Sequence, residues 1–137
     1  MYEIIFHTYV VDFFSIACCF FLDTAPCIVE YLTVIYNMLG NNGLLINFGP
    51  LLYHWSGPPY RPDEKDDLAY KTKHNHLDEK YMRSVDMSWE DIRISMLKIG
   101  FVFLEEKQNV VSNYTSDKTS IMTTKYDCIF FVAKKQA

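Results

Sequence analysis

A chain of 137 residues, half of them hydrophobic and 16% aromatic, is long enough for one domain with its own core and too apolar to be disordered. Its formal net charge is −4, and residues 1–60 hold no Lys or Arg against four acids, Glu3, Asp12, Asp23 and Glu30. With no basic stripe to neutralise phosphates, nucleic-acid binding is set aside.

The apolar opening, Ile4 to Leu22, invites a membrane reading, but it carries His7, Thr8 and Asp12, and no basic residue precedes it. An Asp at the centre of a spanning helix costs about 2.5 kcal/mol or more, and no small-residue cleavage site of the signal-peptide kind follows. A buried strand is the better reading, with no membrane partner. Cys18, Cys19, Cys27 and Cys128 show no CxxC spacing, and three lie in apolar runs. Buried, reduced thiols point to the cytosol, with the nucleus as a further compartment. The sequon at Asn113 then carries no sugar.

"SIACCFF" (15–21) reads as a fully buried strand. The helix expected over 24–39 places Ile28, Leu32, Ile35 and Leu39 on one face, with Thr24 as its cap and Pro26 in its first turn. "GNNG" (40–43) ends it and "LLINF" (44–48) is a second buried strand, so the unit is β-α-β with two parallel strands. Residues 56–87 are a charged, Gly/Pro-containing excursion, with a short helical piece near 76–83. "SWED" (88–91) has the spacing of a capping box, and its helix turns Ile92, Met96 and Ile99 to one side before Gly100. Residues 101–111 and 126–135 read as an antiparallel pair of strands. The fold class is α/β: an open, mostly parallel sheet ending in that pair.

In such sheets ligands bind beyond the carboxyl ends of the strands. Asp23 and Thr24 stand at the end of the first strand; Tyr53, His54 and Trp55 lie just past the second, in "NFGPLLYHW". A carboxylate and an imidazole on one rim can hold a polar or heterocyclic substrate or move a proton. The plainer alternatives are that Asp23 anchors first-turn N–H groups and that His54 is a half-buried loop histidine. Tyr126 reads first as a packed aromatic, and Glu105 and Glu106 as surface. His74 and His76 form an H-x-H with no third ligand, so no metal site is assigned. The glycines are Gly40, Gly43, Gly49, Gly57 and Gly100, and no G-x-G-x-x-G can be built from them.

The strings "CFFLDTAPCIVEYLTVIYNMLGNNGLLINFGPLLYHW", "SWEDIRISMLKIGF" and "NVVSNYTSDKTSIMTTKYDCIFFVAKK" resemble the carnosine N-methyltransferase family. The resemblance covers about residues 16–135 apart from the excursion, and leaves 1–15 as an atypical N-terminal segment. It implies the carboxyl-terminal half of a Rossmann-like class I methyltransferase domain at 16–137, with a charged insertion at 56–87. The implied methyl donor is S-adenosylmethionine, whose glycine-rich loop belongs to the other half. The implied acceptor is the imidazole of carnosine, giving anserine, and a homodimer is left open. Asp23, His54 and Tyr126 match substrate-pocket positions, and Cys19 matches a residue near the donor. Where the family often has tyrosines just before Tyr126, this chain has Thr123 and Thr124. The alternative to an enzyme is a non-catalytic remnant acting as an interaction module.

Overall fold

The computed structural model describes residues 12–53, 85–115, 117 and 119–136. Within them the strands β1 (Phe13–Cys19), β2 (Leu39–Gly49), β3 (Phe101–Asn113) and β4 (Lys125–Lys135) form one sheet in the order β1-β2-β4-β3. Helix α1 (Ile28–Met38) is the crossover from β1 to β2, and helix α2 (Trp89–Ile99) leads into β3. β1 and β2 are parallel, as expected of a β-α-β unit. β4 then inserts between β2 and β3 and runs antiparallel to both, so the described part of the sheet has one parallel ladder and two antiparallel ones. The short link from β3 to β4 dictates that hairpin, because a parallel pair would need a long crossover.

Side-chain periodicity decides which face each element buries. Ile28, Leu32 and Ile35 of α1 and Leu39 just beyond it are buried on the stripe their spacing implied, against Leu45, Phe131 and Ala133 of the sheet. Ile92 and Met96 of α2 join the same core, and the two helices touch, so both cover one face. At its centre Phe131 is fully buried, its ring stacked on Trp89 at 5.4 Å and edge-on to Phe103 at 5.7 Å.

The N-cap half of the capping box forms: Ser88 is the N-cap of α2, and its Oγ accepts from the Asp91 N–H at 3.2 Å. Gly100 ends the helix at φ +116°, and a Cβ there would meet the Tyr36 hydroxyl at 2.6 Å. Only glycine fits both demands.

The start of α1 differs from expectation. Residues Leu22–Thr24 form a separate 3-10 turn, the Thr24 hydroxyl donates to the Phe21 carbonyl at 2.6 Å, and the helix opens at Ile28 after Cys27, without a side-chain cap. Pro26 sits ahead of the helix rather than inside its first turn, and fits there because the residues around it are extended. β1 also differs. Among the described strands it lies at the edge, and it is mostly exposed, with Phe14 95% accessible; Cys18 alone is buried. A continuous apolar run does not reveal which strand ends up at an edge. All four cysteines are free, with Cys18 and Cys128 buried, and burial pushes both of those thiols up in pKa. No helix among the described residues is long and apolar enough to cross a membrane.

Glu106 is a further correction. Its carboxylate accepts from the Trp89 indole N–H at 2.9 Å and from Arg93 Nε at 2.8 Å, tying β3 to α2 instead of facing free solvent. The Arg93 hydrogen bond holds the Glu106 carboxyl below its ordinary pKa against the opposing effect of burial, with the Trp89 bond adding to the lowering. A depressed carboxylate pKa contributes stability above the unfolded-state value, lost as pH falls through the folded value. Glu106→Ala is expected to cost about 1–3 kcal/mol at pH 7, because it orphans the buried indole N–H. Urea unfolding followed from pH 7 down to pH 3 checks this: the gap between wild type and variant should narrow toward the acid end as the ion pair with Arg93 is lost, leaving the part due to the indole N–H.

Candidate functional site

The parallel pairing of β1 and β2 carries both chains to one rim of the sheet. The ladder runs through Cys19↔Phe48 and closes with a hydrogen bond from the Phe20 N–H to the Phe48 carbonyl at 2.8 Å. There the backbone turns sharply: Phe20 has φ +50°. Past the end of β2, Tyr53 has φ +46°. Positive φ is a steric outlier for a bulky aromatic, and such strain collects where surrounding structure holds a functional arrangement. Here it stands at the carboxyl ends of two adjacent parallel strands. Gly49 makes the approach feasible, since a Cβ on it would lie 3.1 Å from both the N and Cα of Phe20. Its role is thus close packing at the rim as well as exit from the sheet.

Asp23 occupies the 3-10 turn just beyond. It is 2% exposed, and its Oδ2 accepts from the Leu52 N–H at 3.0 Å. The carboxylate therefore anchors a backbone donor, but of the segment leaving β2 rather than of α1's first turn. A buried charge held this way braces the segment Pro50–Tyr53 against the end of β1. The Tyr53 hydroxyl donates to the Met87 carbonyl at 2.5 Å, and separately the Val85 N–H donates to the Pro26 carbonyl at 3.2 Å. Tyr53 and residues 85–87, which flank 54–84, are thus tied to each other and to the start of α1. Burial raises the Tyr53 phenol pKa most, the bond to Met87 lowers it, and the charges of Asp86 and Asp23 raise it further.

His54 follows Tyr53 directly and lies outside the described residues, as do His74, His76 and the expected helical piece near 76–83. Tyr126, at the start of β4, is half-buried at the same rim. Its ring meets Phe20 edge-on at 5.6 Å and Tyr114 at 6.0 Å. Phe20 also lies edge-on to Phe48 at 5.9 Å. Cys19, the last residue of β1, is exposed beside them. The structure thus gathers Asp23, Tyr126 and Cys19 at the strand ends. It adds Phe20, which no motif signalled, because neither glycine nor asparagine marks its left-handed backbone.

Between the exit of β2 and the start of β4 lies a cavity of about 390 Å³ whose lining includes Leu51, Leu52, Asn109, Lys125, Tyr126 and Asp127. A larger apolar groove, about 750 Å³, runs between β1 and α1 past Phe13, Ile16, Cys19, Val34 and Met38. Among the described residues no group of three or more His, Cys, Asp or Glu side chains could hold a metal ion.

Comparison with known proteins places the chain in a family. The chain is 38% identical over 120 residues to carnosine N-methyltransferase of Rattus norvegicus, covering 88% of this chain and 25% of that protein. It is 35% identical over 121 residues to the Dictyostelium discoideum carnosine N-methyltransferase, covering 21% of it. The chain therefore spans about a quarter of the length of the curated relatives it matches. A crystal structure of a putative methyltransferase from Bacillus halodurans superposes at a TM-score of 0.55 with 10% identity, over 93% of this chain and 66% of that one. That likeness shows the fold, an α/β sheet of the methyltransferase kind. The family model described as carnosine N-methyltransferase matches residues 5–137, which takes in nearly all of the chain, and so the chain belongs to the carnosine N-methyltransferase family.

Proposed function

We propose that this chain forms the acceptor side of an enzyme that transfers a methyl group from S-adenosylmethionine to an imidazole nitrogen of β-alanyl-histidine (carnosine), giving anserine. The observation that supports it best is the buried carboxylate of Asp23, held on the Leu52 N–H at the rim where Tyr126 also stands. The family to which the chain belongs supplies the reaction.

Methyl transfer needs a neutral imidazole that turns one ring lone pair outward. Asp23 Oδ1, which we assign to the substrate, and the side chain of His54 fix the tautomer by hydrogen bonding at the other ring nitrogen. Tyr126 orients the ring. The sulfonium's methyl bond breaks as the N–CH3 bond forms, releasing the neutral thioether and leaving the ring cationic; in this reading Asp23 favours that charge and takes the proton from the other nitrogen. Alignment and near-attack distance do most of the work in such a displacement.

S-adenosylmethionine supplies the electrophilic methyl. The described residues do not fit it well: beside the exposed Cys19, the groove along β1 is apolar and offers no acid for ribose hydroxyls, and the sequence has no glycine-rich turn. The acceptor contacts alone are therefore derived from this chain. The reaction is assigned to the cytosol or nucleus on the reduced state that buried thiols imply.

The test replaces the matched segment of the rat enzyme with this chain and supplies methyl-labelled donor with carnosine. Labelled anserine is expected. A chimera that folds and binds the donor yet labels no dipeptide counts against the assignment.

One observation favours the second reading, an interaction module: among the described residues nothing pairs with the outer edge of β1, and the apolar groove lies alongside it. An unprotected apolar edge is a template for association. A homodimer through β1 would show as concentration-dependent sedimentation that Phe14→Lys removes, and a monomer at all concentrations would dismiss it.

A further inference from the structure

The mechanism so far makes no use of Phe20, although several independent features single it out. Its φ of +50° is held in place by the Phe48 carbonyl, and Gly49 leaves room for its backbone to approach. The residue is 37% exposed, so burial alone does not account for where it is held. Its ring stands edge-on to Tyr126, which in turn stands edge-on to Tyr114, making a run of aromatic rings at the end of the sheet. Asp23 is three residues further along the chain.

We infer that Phe20 is a further substrate-contacting residue, whose ring forms with that of Tyr126 an aromatic wall for the acceptor's heterocycle. The inference rests on the acceptor-side reading above and deepens it. A flat ring that gains positive charge on methylation is suited to an aromatic face, because the ring quadrupole attracts cations and the attraction grows as the charge develops. An aliphatic wall of equal volume offers the contact area without that gain. The left-handed backbone turns Phe20 out of the strand's alternation and brings it onto Tyr126. A residue continuing the extended path would be directed by the sheet's pleat instead.

The test is proton NMR of the full 137-residue chain titrated with β-alanyl-histidine. Phe20→Leu keeps an apolar side chain of similar bulk, and Phe20→Tyr keeps the ring. With wild type, the dipeptide's imidazole protons are expected to shift upfield by ring current while its β-alanyl methylenes move little. Phe20→Leu should abolish most of that shift and weaken binding about three- to tenfold, and Phe20→Tyr should restore both. A wild-type chain that shifts the imidazole protons while Phe20→Leu does so equally overturns this inference and leaves the acceptor reading standing. A wild-type chain that does not bind the dipeptide overturns the acceptor reading, and this inference with it. Amide spectra of both variants establish that the fold is retained; if Phe20→Leu does not fold, the upfield shift in wild type and in Phe20→Tyr decides alone, and its absence from both overturns the inference.

Discussion

Asp23→Ala, made in the chimera with the rat enzyme, is expected to lower carnosine methylation at least about a hundredfold. Two effects combine. The Leu52 N–H loses its acceptor, a hydrogen bond of 3.0 Å to a buried carboxylate, at a cost of about 1.5–3 kcal/mol. The segment leading to Tyr53 and His54 is then free to drift, and a misplacement of about 1 Å near a reacting group is enough for a hundredfold loss. Asp23→Asn separates the two roles assigned to this residue. Its amide oxygen can still accept from Leu52, so thermal stability should return close to wild type. Its remaining amide hydrogens donate rather than accept, so they cannot hold the substrate's ring N–H, and the rate should stay low. If Asn restored both stability and rate, Asp23 would be a brace alone.

The second large effect is on the core. Phe131→Ala is expected to destabilise the chain by about 3–5 kcal/mol, the range for removing a fully buried aromatic. Phe131 has no exposed surface and contacts Trp89 face-on and Phe103 edge-on, where α2 meets β3 and β4. Domains of this size are stable by only about 5–15 kcal/mol, so much of the margin would go. Urea unfolding monitored by Trp fluorescence measures it. A cost below about 1 kcal/mol would mean the core is not packed as described.

The helical stripe Ile28, Leu32, Ile35 and the cap-to-glycine span from Ser88 to Gly100 were legible because both depend on neighbours within a turn or two. The β-α-β unit followed from the short links. What escaped depends on partners far apart in sequence. Thr24 looks like a cap, but Asp23 is drawn to Leu52, 29 positions on, and the residues between β1 and α1 wind into a separate turn. Glu106 looks like a solvated strand residue until α2 brings Trp89 and Arg93 across it. The exposure of most of β1, whose apolar run reads as a fully buried strand, depends on what covers its face, which hydrophobic periodicity does not encode. Of the rim, Asp23 and Tyr126 were readable as polar or aromatic residues at strand ends, whereas the backbone of Phe20 carries no turn residue to betray it.

The most direct test of the acceptor-side reading is a map of backbone amide shifts as the 137-residue chain is titrated with β-alanyl-histidine. The largest changes are expected at Phe20, Asp23, Leu52 and Tyr126, the residues that the parallel strands β1 and β2 and the start of β4 bring to one rim. Changes confined to the groove between β1 and α1, or none at all, would contradict it.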